Sequence, residues 1–334
     1  MDHGRRMARL SLKVRALVAA LLAALAVACS SGGATPTGAS PVPSPEPGAL
    51  RVVATTTVLA DLVARVGGSK VTVESLVPKG GEVHTFDPSP SDVVKIGEAQ
   101  LVVLNGLGLD EWLAGLVADA GSSAPIVELA EDLDGVDYLE AGEHEEDGAA
   151  DEPDAHADEA FNPHLWLNVD YARKYAARIA EALAAADPDD AASYAAGLAA
   201  FDARLATLDD EIRTAIATIP EANRRIVSFH EAFGYFAAAY GLEVVGVIVE
   251  APGQDPSAGE VAALVEAIRA SGARAVFTEA QFSPDLAETV ASEAGVSVVR
   301  DLYNDSLGDP PVDTYEAMMR SNVDRTVEAL KEAP

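Results

Sequence analysis

Between Tyr194 and Ile216 the apolar residues fall at Tyr194, Leu198, Phe201, Leu205, Leu208, Ile212 and Ile216, always three or four apart. That period draws one stripe along one face of a single helix. Asp187-Pro188-Asp189-Asp190 comes just before it and Pro220 just after. An Asp cap, a Pro in the first turn and acids at the positive end of the helix dipole form a strong start signal. A helix over 188–219 would reach roughly 45 Å, longer than one small lobe is wide. A coiled-coil partner could cover such a stripe. A spine between two lobes fits better, because strand and helix patterns alternate on both sides of it.

Before the spine, short β-branched runs at Arg51–Thr55, Val71–Val77, Leu101–Leu104 and Ile126–Leu129 alternate with helical spacing at Val58–Val66, Ser91–Ala99 and Asp110–Ala120. A further helix, capped by Asn168, runs to about Ala186. After the spine the pattern returns. Strands are expected at Arg225–Phe229, Leu242–Ile248, Ala273–Thr278 and Val296–Leu302. Helices are expected at Glu231–Tyr240, from the Ser257–Glu260 capping box to Gly272, after Ser283-Pro284, and over Thr314–Ala333. Strands alternating with helices imply parallel sheets covered on both faces. The expected fold is therefore α/β: two parallel-sheet lobes, 50–187 and 220–334, joined by one long rigid helix.

The first 28 residues read as an export signal: Arg5, Arg6, Arg9, Lys13 and Arg15 precede an apolar run over Ala16–Ala28. That run is too short to span a bilayer, which takes about 20 residues. It ends in Ala26-Val27-Ala28-Cys29, similar to a bacterial lipoprotein cleavage box, with alanine where leucine is usual at the first position. Cys29 is the one cysteine, which excludes a disulfide framework and a thiolate metal site. Lipidation at Cys29 would anchor the chain to the membrane, outside the cytoplasm, and 29–49, rich in Ser, Gly, Thr and Pro, would be a flexible tether.

The formal net charge of -31 argues against nucleic acid as a partner, because phosphate binding needs clustered Lys and Arg. Acids fill about half of 140–160, with His144 and His156 among them. Such a stretch cannot bury a core and reads as a disordered surface loop, either a solvated ion-attracting surface or a weak metal collector.

In parallel α/β sheets, ligands bind beyond the carboxyl ends of the strands. His84 follows the strand 71–77, His230 ends the strand 225–229, Glu279 follows 277–278, and Asp305 follows 296–302. His164 stands in Phe161-Asn162-Pro163-His164-Leu165-Trp166, where the proline fixes the backbone direction. Three imidazoles and a carboxylate satisfy the four-coordinate preference of zinc. Each residue alone reads equally well as a structural histidine or a helix cap; their convergence on one edge is the signal.

The chain resembles the cluster A-I (ZnuA/TroA/PsaA-like) metal-binding lipoproteins of bacterial ABC importers. The resemblance rests on Gly80-Gly81-Glu82-Val83-His84 with Pro88, on Asn162-Pro163-His164-Leu165-Trp166, and on Ser228-Phe229-His230-Glu231-Ala232-Phe233-Gly234-Tyr235-Phe236. Glu279-Ala280-Gln281-Phe282, Asp305-Ser306-Leu307-Gly308 and Asp313-Thr314-Tyr315 complete it. It implies metal ligands at His84, His164, His230 and Asp305, with Glu279 either behind a ligand or an alternate one. It also implies a monomer that hands the ion to an ABC permease. Manganese carriers of this family typically have glutamate in the third position, where this chain has His230, so the implied cargo is Zn²⁺, with Mn²⁺ as the alternative. A zinc hydrolase would need a general base, for which Glu279 is the one candidate, and no His-Glu-x-x-His pattern is present. A surface adhesin on the same fold is a further reading.

Overall fold

The computed structural model describes residues 42–141 and 161–331. The export signal, Cys29, most of the tether and the acidic segment between Ala141 and Phe161 lie outside the described residues. No helix among the described residues is long and apolar enough to cross a membrane.

The first sheet is built from β1 (Leu50–Ala54), β2 (Val71–Ser75), β3 (Leu101–Leu104) and β4 (Ile126–Glu128). The second uses β5 (Arg225–Ser228), β6 (Glu243–Val247), β7 (Ala275–Glu279) and β8 (Ser297–Leu302). Both are wholly parallel, in the orders β2-β1-β3-β4 and β6-β5-β7-β8. Each therefore reverses direction beside its central pair, where an α/β sheet opens a crevice for ligand. The helices are α1 (Thr57–Gly67), α2 (Pro90–Glu98), α3 (Trp112–Ala120) and α4 (Val169–Ala186) on the amino-terminal side. After them come α5 (Ala191–Ile216), α6 (Gly234–Tyr240), α7 (Ala258–Ser271), α8 (Asp285–Ala294) and α9 (Tyr315–Lys331).

Helix α5 is the spine, 26 residues long and preceded by a 3-10 turn at Pro188–Asp190. Six of the seven stripe residues are buried, and Leu198 is half-buried. The stripe packs on α1 and α4 from one side of the chain and on α9 from the other, so one helix serves both lobes. A Cβ on Gly197 would lie 2.0 Å from the Val66 carbonyl oxygen, so α5 and α1 approach backbone to backbone there and only glycine fits.

Local signals explain most boundaries. The Asn168 carboxamide caps α4 by accepting from Asp170 N at 3.0 Å. The Ser257–Glu260 capping box forms in both directions. Two segments differ from the sequence reading. The ordered chain starts before residue 50, because Glu46 accepts from Ser69 Oγ at 2.7 Å and Lys70 Nζ at 2.9 Å. Helix α6 starts at Gly234 and not at Glu231, because the carbonyls after β5 are taken elsewhere: Ser228 Oγ donates to His230 O, and Val249 N to Phe229 O. That irregular turn is what presents the His230 ring.

Candidate metal centre

His84, His164, His230 and Asp305 converge between the two sheets, each offering one donor atom, all within 4.8 Å of one another. His84 comes from the loop after β2, His230 from the turn after β5, and Asp305 from the loop after β8. His164 sits in the loop leading to α4, where Asn105 Nδ2, just past β3, donates to Pro163 O at 3.0 Å. Asn105 is itself held by the Tyr175 hydroxyl at 2.7 Å, so the peptide before His164 is fixed from the core side.

His164 Nε2 lies 3.4 Å from Asp305 Oδ1 and 3.4 Å from His230 Nε2. Asp305 Oδ2 lies 3.8 Å from His230 Nε2 and 3.9 Å from His84 Nε2. A tetrahedral ion with bonds of about 2.0–2.1 Å needs donors about 3.3 Å apart. Two separations match that edge, and His230 and His84 would each close on Asp305 by about half an ångström. Both oxygens of Asp305 face imidazoles, and Oδ1 is buried with no hydrogen-bond donor, as is His84 Nε2. Buried polar atoms are ordinarily satisfied, and a cation among these donors could satisfy both.

The atoms behind the ligands fix their orientation. Asn162 Oδ1 lies 3.0 Å from both the backbone N and Nδ1 of His164, which places the ring proton on Nδ1 and frees Nε2. Asn162 Nδ2 also donates to Glu231 O at 2.6 Å, tying the His164 loop to the residue after His230. Glu279 Oε1 stands 3.4 Å from His230 Nδ1, behind the ring, and Glu279 is not among the clustered donor atoms. Phe282 meets the His230 ring edge-on at 5.6 Å, and Trp166 lies 5.3 Å from His164 with its indole N–H bonded to Asn304 O. Phe233 is buried against Phe236.

The electrostatics divide the histidines. Burial pushes His84 down to about 3, with His164 and His230 adding to the effect and Asp305 opposing it. His164 is lowered by burial against the pull of Asp305. Burial works against charge on His230 as well, but Glu279, then Asp305 and Glu82, outweigh it and push the ring up to about 9. Burial would raise Asp305; the imidazoles of His164, His230 and His84 prevail and hold it at about 2. Glu82, which accepts from His84 N at 2.9 Å, is raised to about 7 by burial and by the Asp305 charge. An ionised carboxylate and two neutral imidazoles thus stand ready, and one ring holds a proton. A cleft is lined by His84, His164 and His230 together with Leu107, Pro163 and Glu250. Ala141 and Phe161, the ends of the acidic segment, line its mouth.

The sequence reading named the four clustered side chains and Glu279. It missed Asn105, Asn162, Gln281 and Asn304, the amides that orient them. Asn162, two residues before His164, could have been found from the side-chain-to-backbone turn that Asn favours at that spacing. Gln281 stood in the Glu279–Phe282 motif without a role, and Asn304 carries no such local signal.

Two α/β lobes on one long helix, with imidazoles and a carboxylate converging between them, define a class: binding proteins that take a small cationic solute between lobes. Comparison with known proteins narrows it. The family model described as ZnuA, zinc-uptake complex component A, periplasmic, matches residues 52–329, and the chain belongs to that family. Its members are substrate-binding components, not enzymes. The manganese-binding lipoprotein MntA of Halalkalibacterium halodurans is 31% identical over 315 residues, 93% of this chain and 96% of that one. The metal ABC transporter substrate-binding lipoprotein FimA of Streptococcus parasanguinis is 32% identical over 327 residues, 96% of this chain and 98% of that one. Among solved structures, the periplasmic zinc binding protein TroA of Treponema pallidum superposes with a TM-score of 0.74 at 25% identity, covering 85% of this chain and 100% of that one.

Proposed function

We propose that this protein captures Zn²⁺ between its lobes through His84, His164, His230 and Asp305 and delivers it to an ABC permease in the cytoplasmic membrane. The observation that carries the reading is the cluster itself: four donor atoms from four loops, within 4.8 Å, three of the four residues buried. Zinc is favoured by the donor set, because three imidazoles and one carboxylate suit a borderline-soft ion and manganese prefers more oxygen. Relatives are named for manganese and iron as well as zinc, and both oxygens of Asp305 are turned inward. Mn²⁺ bound with a bidentate Asp305 is therefore the second reading. Nitrogen-rich sites give Mn²⁺ no protection from zinc, the stronger binder of the divalent series.

The remaining parts of the chain fit delivery at a membrane. Residues 1–28 would direct export, Cys29 would carry the lipid, and 29–49 would tether the lobes 50–187 and 220–334, joined by 188–219, as a monomer. The lipoprotein names of the relatives support this arrangement. Glu279 acts behind His230 as its carboxylate partner.

The test is metal titration of protein freed of ions, with Zn²⁺ and Mn²⁺ competing. One Zn²⁺ per chain, retained against Mn²⁺, is expected, and His164→Ala should lose most zinc affinity while its circular dichroism stays that of the wild type. Undiminished binding by His164→Ala would refute the site, and preferential retention of Mn²⁺ would move the reading to manganese.

A further inference from the structure

One residue beyond Asp305, the segment after β8 is bonded to the opposite lobe. Pro78 to Gly81 closes as a turn, with Gly81 N donating to Pro78 O at 2.9 Å. Gly80 stands third in it at φ +71°, the conformation a type II turn requires there and one that glycine adopts freely. The Gly80 N–H then donates to Ser306 Oγ in the other lobe at 2.7 Å. Ser306 gives its own proton to Leu307 O at 3.1 Å. Leu307 N in turn donates to Thr57 Oγ1 at 2.8 Å, and the two hydroxyl oxygens lie 3.4 Å apart. Thr57 and Asp61, four residues apart, share one face of α1. Asp61 Oδ2 accepts from Tyr315 N at 2.9 Å while Arg65 Nε holds its other oxygen at 3.0 Å, so this face of α1 meets both ends of the segment 306–315. Ser306 is buried, so water does not compete for the Gly80 bond.

We propose that Ser306 and Thr57 are positioning residues of the metal centre, forming a clasp between the lobes that sets the distance between His84 and Asp305. This inference rests on the metal-centre reading above. A ligand set works when its members are held to within about 0.5 Å of the bonding geometry. His164 and the turn carrying His230 are tied together by Asn162, which accepts from His164 N and donates to Glu231 O. His84 and Asp305 come from opposite lobes and stand 3.9 Å apart. The clasp lies directly between their loops: Ser306 follows Asp305, and only Gly81, Glu82 and Val83 separate Gly80 from His84. A shift of one lobe against the other therefore changes the His84–Asp305 separation unless the Gly80–Ser306 and Leu307–Thr57 bonds resist it. By reciprocity, an ion that joins His84 to Asp305 strengthens the clasp by the factor by which the clasp strengthens binding.

Thr57→Val keeps the shape and removes the acceptor for Leu307 N; Ser306→Ala removes the acceptor for Gly80 N. Zinc affinity, measured by competition with a chelator, should fall about threefold to tenfold in each, the effect expected from one lost hydrogen bond. Thr57→Ser keeps the hydroxyl and should bind zinc as the wild type does. A His84→Ala background separates positioning from mere structural support: with the positioned ligand gone, Thr57→Val and Ser306→Ala should cause no further loss. A loss as large in that background as in the wild type overturns the proposal. So does wild-type affinity in both single variants, or a loss in Thr57→Ser equal to that in Thr57→Val. Where the variants do not fold, or His84→Ala binds too weakly to compare, the unaltered protein decides. Amide hydrogen exchange at Gly80 and Leu307 should slow about threefold to tenfold when Zn²⁺ is added, the same factor by reciprocity. Exchange there unchanged by Zn²⁺ overturns the clasp. Failure here is distinct from failure of the centre: zinc binding undiminished in His164→Ala sinks the centre, whereas loss of zinc in that variant with wild-type affinity in Thr57→Val and Ser306→Ala sinks only the clasp.

Discussion

The two sheets share one strand order and do not contribute alike. In the amino-terminal lobe the registers of β1, β2, β3 and β4 run without a break. In the carboxyl-terminal lobe the register shifts between Ile226 and Val227 and between Phe277 and Glu279, beside the strand ends that carry His230 and Glu279. Such irregularities re-aim side chains, and they commonly sit next to functional sites. The ligands differ in the same sense. His230 and Asp305 are buried beside Glu279, Asn304 and Gln281, whereas the His84 side chain is 21% exposed. The lesson is a division of labour on one topology. On the proposed reading the carboxyl-terminal lobe holds a preorganised half-site, His164 is pinned beside it, and His84 would complete it.

That division predicts a ranking. His230→Ala should do most damage, because it removes a donor and also leaves the buried Glu279 carboxylate without its ring. Zinc affinity should fall by well over the ~10–100-fold that follows loss of a partner behind a ligand, and thermal stability should fall with it. His84→Ala comes second. It removes a donor that anchors nothing else, so affinity falls and the melting temperature of the metal-free protein stays put. Equal losses of metal-free stability in the two variants would erase the distinction between lobes.

Glu279→Gln should weaken zinc by about 10–100-fold, since the amide still fills the space behind Nδ1 but no longer draws the ring proton toward a negative charge. Wild-type affinity would show that burial alone orients His230.

The smallest effect is on pH. His84, held down to about 3, and His164, also lowered, are neutral at pH 7, and Asp305, at about 2, is ionised. His230, raised to about 9, is the ligand that a proton contests. Bound protons compete with metal, so zinc affinity should rise with pH toward about 9, by about tenfold per unit for one displaced proton. Calorimetry in buffers of different ionisation heat would count about one proton released per ion at pH 7. Histidines with ordinary values would instead release few protons at pH 7 and more below about 6.5.

Much of this was legible in the chain. The alternation of strand and helix, and the stripe from Tyr194 to Ile216, announced two parallel lobes on a spine, because those periods are dictated by backbone geometry. His84, His230 and Asp305 could be placed on the binding edge because each follows a strand. What stayed hidden depends on contacts between distant segments. Helix α6 was read three residues too early because Glu231–Phe233 has nothing against a helix locally; the bonds that unwind it come from Val249 and Ser228. Asn304 looks like an ordinary polar residue until the fold sets it beside His230 and Gln281. Asn162 and Glu279 stood in recognisable motifs, yet which nitrogen each one faces is a matter of side-chain rotation, which no spacing encodes.

The central claim is that three imidazoles and Asp305 hold one ion between the lobes. Diffraction from zinc-loaded crystals, recorded on both sides of the zinc absorption edge, tests it most directly. The account predicts one strong anomalous peak about 2.0–2.2 Å from Nε2 of His84, His164 and His230 and from an Asp305 oxygen. A peak elsewhere, or one at this place with any of those imidazoles turned away, would contradict it.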